Sequence, residues 1–511
     1  MKRNLKSSSF NIKREALVKI ALFYPNNFIT AATNLGYITI YNILNSRKDT
    51  LCELFAMDYI SKSYNTGRSI KDFDIIAISI SFEADIFNLV RFFKFNNIEL
   101  FSNKRGRFDP LITGGGAYLT LNPEAVAPFF DVILIGEGEQ AINEMVDEYL
   151  NNSNKDIYKE NIVKLKGFYV PDRDKISYDG IYVDGRNSKM TVCRKRTVDN
   201  IDDYIPSTIN KLLPSHFKNT FLIEISRGCP YRCAFCATPS LSNPYRHRNL
   251  NNLLNLINKN RSFPKVGFIG SAISDYPYLI DLIDKTLIKT ITLSSFRVNR
   301  VNYNILEKLK KRGLRSISIA SEVANEKMWN KIDKGIDRDM IEKAVKTINK
   351  ALIERLKIYF IIGFPFENEN DIKDIINLIN DLSHIYKGKL TASINIFIPK
   401  PQSILQWAPY TDKRNIRQKI KMIQRGVNRD VIINILGYRT GEIETILSRG
   451  NRILSEAIAL TDRMNIFDAL KVCNINPDIF LKELSVNKIL PWEFIKGGID
   501  NIKLKNKYLN I

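Results

Sequence analysis

"EISRGCPYRCAFCATPS", residues 224–240, places three of the chain's six cysteines, Cys229, Cys233 and Cys236, within eight residues. The spacing is C-x3-C-x2-C on what reads as a single loop. It follows directly on the apolar run "FLIEI" (221–225). In a reducing compartment, thiols this crowded read as metal ligands or redox groups and not as a disulfide framework. Three thiolates at this spacing can hold three irons of a [4Fe–4S] cluster and leave the fourth open. The alternative is a zinc site, which needs a fourth ligand. The chain has only three histidines, and His247 is the nearest downstream. Cys52, Cys193 and Cys473 lie far apart and read as small buried hydrophobes.

Working outward from the triplet, strand-like and helix-like segments alternate. "FLIEISRGC" (221–229), "KVGFIGSA" (265–272), "ITLSSFR" (291–297), "LRSISIASE" (314–322), "LKIYFIIGFP" (356–365) and "LTASINIFIPKP" (390–401) are apolar runs separated by helical patterns. Six such units predict a partial (β/α)6 barrel, whose chemistry gathers at the carboxyl ends of its strands. The triplet sits at the first of those ends. Upstream, "VKIALFY" (18–24), "DIIAISIS" (74–81), "PLITGGG" (110–116) and "DVILIGEGE" (131–139) read as buried parallel strands. The helical patterns of 34–47, 83–96 and 139–152 fall between or after them, so an α/β doubly wound sheet is predicted. The expected organisation is an α/β domain over 1–151, a connector with a small β element over 152–215, the partial barrel over 216–406, and a mostly helical C-terminal region over 407–511.

With 511 residues, 44% of them hydrophobic, the chain can bury several cores. The basic opening stretch has no apolar h-region, and no apolar run reaches the ~20 residues of a membrane span. A cytoplasmic protein is expected. The net charge of +22 attracts anions such as nucleic acid, lipid headgroups or phosphorylated molecules, with a local peak at "DKRNIRQKIKMIQR" (412–425).

The triplet, with Phe235 directly before its last cysteine, resembles the signature of the radical S-adenosylmethionine (SAM) enzymes, and the likeness covers most of the chain. The resemblance implies that the open iron is chelated by SAM. One electron then cleaves SAM and releases a 5′-deoxyadenosyl radical that abstracts hydrogen from unactivated carbon. By the same resemblance, Gly270 and Ser271 stand where the family contacts the SAM amino group. Ser295, Arg297 and Glu322 stand where it contacts ribose and carboxylate, and Gly363 and Pro365 belong to the turn near the adenine. The family's common Gly-Gly-Glu is Ile269-Gly270-Ser271 here, which shifts amino-group recognition to the backbone. No catalytic residue beyond the cluster ligands is implied. A reductant such as a ferredoxin or flavodoxin is.

"LITGGGAYLTLNPEAVAPFFDVILIGEGE" resembles the second half of the cobalamin-binding domains fused to many such enzymes. The usual Asp-x-His-x-x-Gly is missing and no histidine precedes His216, so the resemblance implies cobalamin held without a histidine lower ligand. Asn34, Gly114, Gly115, Gly116, Gly136, Glu137 and Gly138 are its candidate contacts. Together with "IPKPQSILQWAP", "ILSRGNR" and "LPWEFIKGGID", the arrangement resembles one subgroup of cobalamin-type radical SAM proteins. That subgroup is mostly without assigned function; among its archaeal members the chain resembles the synthases that close cyclopentane rings in tetraether membrane lipids (GDGT ring synthases). The implied function is membrane-lipid biosynthesis by an enzyme docking peripherally on an anionic membrane. Two other classes stay open. One is radical modification, such as methylation, of tRNA, protein or a small molecule, since the charge suits RNA equally. The other is a non-catalytic iron–sulfur or cobalamin sensor.

Overall fold

The computed structural model describes residues 15–208 and 215–511, so the first fourteen residues, with most of the basic opening stretch, lie outside it. The chain forms two compact units. The first takes the chain up to Lys218 together with Ile446–Phe480 and Ser485–Asn501. The second takes Asn219–Thr445, Leu481–Leu484 and Ile502–Ile511.

The first unit is built on a six-stranded sheet in the order Thr50–Ala56, Val18–Tyr24, Ile75–Ser79, Leu111–Gly115, Val132–Leu134, Phe168–Tyr169. The first five strands are parallel and the last is antiparallel. Helices Leu35–Ser46, Asp85–Phe95 and Ala141–Asn151 occur where periodicity places them. The strand Thr50–Ala56 has no counterpart in the sequence reading, because Glu53 interrupts its apolar run. It is nonetheless buried throughout. The Ser63 and Thr66 hydroxyls donate to the Glu53 carboxylate, Thr66 at 2.7 Å, and Arg68 Nε lies 3.4 Å away, which satisfies a charge that burial alone would penalise. With this strand added, the order reverses between Val18–Tyr24 and Ile75–Ser79. Ligands of doubly wound sheets bind at such a reversal.

In the second unit, Thr220–Glu224, Lys265–Ile269 and Thr290–Leu293 form one parallel sheet. Ser316–Glu322, Arg355–Ile362, Lys389–Ile396 and Ile432–Ile435 form another. A parallel bridge between Phe296 and Ile319 joins the two into one arc. Ile432–Ile435 is a seventh strand, within the stretch expected to be helical. Its four residues, half of them exposed, carry too little signal against the flanking helices Lys413–Gly426 and Tyr438–Arg449. The two central strands alternate strictly, with Leu356, Ile358, Phe360 and Ile362 buried on one face and Lys357, Tyr359 and Ile361 half-buried on the other. Crossover helices pack on the buried apolar face, so the second face lines the barrel interior.

The C-terminal stretch does not form the separate 407–511 region expected from helical periodicity. Its segments divide between the two units because each supplies what its host lacks. In the first unit the Tyr118 hydroxyl donates to the Leu447 carbonyl at 2.9 Å. The Asn122 side-chain amide donates to the Ser448 and Gly450 carbonyls, and Arg452 Nε meets the buried carboxylate of Glu124 at 2.9 Å. Ile495–Lys496 extends Cys193–Arg194 as a parallel pair. These contacts account for "ILSRGNR" and "LPWEFIKGGID". In the second unit Leu484 N–H donates to the Trp407 carbonyl at 2.8 Å, and just ahead of this stretch Leu405 N–H donates to the Ala234 carbonyl at 3.0 Å and Ser240 Oγ to the Gln402 carbonyl at 2.7 Å. "IPKPQSILQWAP" therefore braces the cysteine loop.

Candidate active site at the cysteine loop

Strand Thr220–Glu224 ends where Ser226–Arg227 folds back antiparallel on Arg246–His247, so the chain between them makes a closed excursion that carries the cysteines. Gly228 opens it at φ +82, and a Cβ there would stand 2.3 Å from the Ser242 carbonyl, which only glycine avoids. The loop is pinned by Cys236 N–H to the Cys233 carbonyl (3.0 Å) and by Ala234 N–H to the Ile332 carbonyl (2.8 Å). Beneath it the Glu224 carboxylate pairs with Arg227 (2.9 Å) and with the fully buried Arg248. Burial alone would raise that carboxyl, but the two guanidiniums hold it below its ordinary range.

All three thiols are partly exposed. Burial pushes the Cys229 thiol up; it pushes up Cys233 too, where the charges of Lys334 and Arg297 pull the other way. Among the described residues no three His, Cys, Asp or Glu side chains converge on one ion position. A [4Fe–4S] cluster asks each thiolate for a different iron and does not need that convergence. The donor set fits a cluster: three thiols on one pinned loop, with two cations beside Cys233 to stabilise thiolate.

The cations belong to a network joining several strand ends. The Arg297 guanidinium lies 3.5 Å from the Tyr231 ring centroid and donates to the Lys334 carbonyl. Its Nε is buried with no hydrogen-bond partner, a donor left for an acceptor such as a carboxylate. Tyr231 OH donates to Asp275 at 2.7 Å, and Arg300 Nε meets the same oxygen at 2.8 Å. Glu322 ends its strand at φ +65 after a register shift and meets Lys334 Nζ at 3.0 Å; both are nearly buried. Lys334 Nζ also stands 5.9 Å from the Phe235 centroid.

Phe235, Arg297 and Glu322 are thus brought together at the cysteine loop. Gly270 packs tightly on Ser226, while Ser271 and Ser295 are exposed beyond their strands. Gly363 turns at φ +90, with its N–H on the buried carboxylate of Glu367 (2.8 Å), which Lys419 neutralises at 2.6 Å. Next to it Phe364 lies 6.3 Å from Phe235, while Pro365 is exposed. Sequence reading missed Lys334, Asp275 and Tyr231. Lys334 is one of 76 basic residues and sits in a loop with no motif of its own.

In the first unit the candidate residues divide. Gly114 packs on Phe130 and Leu119, and Gly116 on the Ile80 carbonyl. Gly136, at φ +112, lets Arg196 bridge in parallel, since a Cβ would stand 2.2 Å from the Arg196 carbonyl. Glu137 accepts from Val198 N–H at 2.6 Å. Gly115 is different: half-exposed, it would bring a Cβ no nearer than 3.9 Å to Leu134, and Gly138 faces Leu134 and Ile40. At the strand-order reversal Asn34 donates to Ser81 Oγ (3.0 Å) and caps helix Leu35–Ser46. Cys52 and Cys193 are buried as expected, and Cys473 is partly exposed.

At the start of helix Asp85–Phe95 in the first unit, Asp85 is 3% exposed and accepts from Asn26 at 3.0 Å while its second oxygen has no hydrogen-bond partner. Burial drives its carboxyl up to about 6 despite the Asn26 hydrogen bond, with the Glu83 charge adding. A folded-state pKa above the ordinary 3.8 means that ionisation opposes folding. The penalty is absent below about pH 4, grows through the folded pKa and is complete above it, at roughly 3 kcal/mol from 1.36 kcal/mol per unit. Asp85→Asn removes it. Denaturant melts should therefore show the variant more stable than wild type at pH 8 and the two converging at pH 4. A pH-independent difference would count against it.

Two family models match the chain: "Radical SAM proteins, N-terminal" over residues 36–171 and "Radical SAM superfamily" over 223–379. The chain is 27% identical over 443 residues to an uncharacterized protein of Methanocaldococcus jannaschii, covering 86% of this chain and 90% of that one. It is 25% identical over 304 residues to an uncharacterized methyltransferase of Pyrococcus horikoshii, covering 56% and 60%. Among solved structures it is similar, at TM-score 0.48 and 15% identity, to the cobalamin-dependent S-adenosylmethionine radical enzyme OxsB with aqua-cobalamin and S-adenosylmethionine bound, covering 71% of this chain and 52% of that one.

Proposed function

We propose that this chain, a member of the radical SAM family by residues 223–379 with that family's N-terminal domain at 36–171, is an enzyme that functionalises an unactivated carbon of a membrane lipid. The family's cofactors are a [4Fe–4S] cluster and SAM; when bound, they supply one electron to the sulfonium and so a 5′-deoxyadenosyl radical. The observation carrying the reading is the convergence of Phe235, Arg297, Glu322 and Lys334 on the cysteine loop. Cys229, Cys233 and Cys236 would bind the cluster. The orphan Nε of Arg297 and the Lys334 ammonium would hold the SAM carboxylate. Tyr231 and Asp275 keep the guanidinium in place. Cobalamin would rest at Gly115, where a Cβ would meet nothing nearer than 3.9 Å, beside Asn34; His216 is engaged by Thr30 at 3.1 Å.

For the substrate, support comes from helix Lys413–Gly426. Lys413, Arg417, Lys421 and Arg425 repeat at i, i+4 on its exposed side, and among the described residues none has an acidic partner. Like charges at that spacing repel by a few tenths of a kcal/mol per pair, a cost that an anionic bilayer surface would offset. No helix among the described residues is long and apolar enough to cross a membrane. Ring closure in tetraether lipids is the reaction we propose. Methyl transfer is the second reading, favoured by the name of the Pyrococcus relative. Lipid mass spectra from a strain lacking the gene decide. Ring closure predicts that lipids regain two hydrogens per lost ring, and methylation predicts loss of CH2. Unchanged lipids with a missing modified nucleoside would refute both lipid readings.

A further inference from the structure

The inward face of the two central strands is polar over most of its length, where a chamber for an isoprenoid chain would be apolar. On the inward face, Ser318, Lys357 and Thr391 stand side by side in register, and one step nearer the carboxyl ends Tyr359 stands beside Ser393. Asn395 follows. All six are half-buried, and among the described residues none of their side chains makes a hydrogen bond; Lys357 only approaches the Tyr359 ring, at 5.8 Å. No carboxylate occupies this face along Arg355–Ile362 or Lys389–Ile396, whose amino ends add Arg355 and Lys389. The acid at the neighbouring strand end, Glu322, is engaged by Lys334. A half-buried ammonium with hydroxyl and amide neighbours and no counter-charge is unsatisfied chemistry.

We propose that this face binds an anionic group of the substrate, a phosphate or carboxylate, with Lys357 as its charge partner and Tyr359, Thr391 and Ser393 as hydrogen-bond donors. The proposal rests on the radical SAM reading for where the reacting carbon lies, at the carboxyl ends of the strands. Lys357 and Ile361 are four residues apart, roughly 13 Å of strand. The strand then acts as a ruler: the anion enters the barrel and the attacked carbon lies on the order of 10 Å from it. For a lipid, the headgroup occupies the interior, and the reaction falls toward that end of the chain instead of its middle.

The test is calorimetric titration of the anaerobic, cluster-loaded protein with two probes: inorganic pyrophosphate, and dihexanoyl phosphatidylglycerol below its micellar concentration. Wild type should bind at least one of them. Lys357→Met should weaken that binding tenfold or more, Lys357→Arg should retain most of it, and Lys346→Met, on the exposed helix Arg338–Lys350, should not change it. Iron content and thermal midpoint establish that each variant is folded. Binding of pyrophosphate alone assigns a soluble phosphate substrate, whereas binding of the lipid probe assigns a headgroup. Equal affinity in wild type and Lys357→Met, or no binding of either probe by wild type, overturns the proposal. Because the titration requires no SAM cleavage, a protein that fails to cleave SAM refutes the preceding reading without deciding this one, which the titration settles by itself.

Discussion

Alanine at any one of Cys229, Cys233 or Cys236 is expected to leave the anaerobically reconstituted protein without a stable [4Fe–4S] cluster and to reduce SAM cleavage to background. The expectation follows from where the other thiols are. Cys52 and Cys193 are buried, and burial pushes the Cys473 thiol up. Cys193 is further disabled as a ligand, because burial pushes its thiol up to about 12. No spare thiolate can replace a lost one, and three ligands are the minimum that leaves a single iron open for SAM. Iron analysis, the electron paramagnetic resonance spectrum of the reduced protein and chromatography of 5′-deoxyadenosine measure the outcome. A full iron complement in any single variant would remove that cysteine from the ligand set.

Lys334→Met is the second large effect, and it separates binding from cluster assembly. The substitution keeps the side chain unbranched and all but its last atom in length, and removes its charge. It leaves Glu322, 8% exposed, without its partner in a strained strand end. Breaking a buried pair from one side costs about 3–5 kcal/mol. Because the carboxylate is then the uncompensated group, Lys334→Met/Glu322→Gln should recover much of that stability. It should not recover SAM binding, which would fall at least tenfold in both variants while the iron content stays at the wild-type level. Thermal melts and equilibrium dialysis with SAM report the two quantities. Recovered stability with unchanged SAM affinity throughout would mean that Lys334 serves only the fold.

The alternation of apolar runs makes most of the architecture legible, because parallel strands buried on both faces have little choice of residue. Thr50–Ala56 escapes because a charged residue sits in its middle, and its neutralisers, Ser63, Thr66 and Arg68, come from the following loop. Ile432–Ile435 escapes because half of it is exposed. At the site, Arg297 and Glu322 are legible because they end strands, where a radical SAM barrel gathers its chemistry. Lys334 is not, since its position depends on the loop of residues 332–337 folding back on Ala234, a contact with no sequence period. The glycines of 114–116 and 136–138 carry a second meaning that the sequence pattern hides. A Gly-rich turn at a strand end reads as a ligand cradle, yet Gly114, Gly116 and Gly136 are each held to glycine by a close protein contact.

The division of the C-terminal stretch between the two units constrains how the protein can be made. The first unit cannot finish folding when its sheet has left the ribosome. From Lys218 to the last segment it recruits, ending at Asn501, is 501 − 218 = 283 residues. At the usual speeds of translation that is a delay of roughly 15–60 s. During it Glu124 lacks Arg452, and Tyr118 and Asn122 lack the carbonyls that satisfy them. The nascent N-terminal sheet is then a chaperone client by construction. A gene cut after Thr445 should yield an aggregating first unit, and supplying Ile446–Ile511 as a separate polypeptide during synthesis should rescue it.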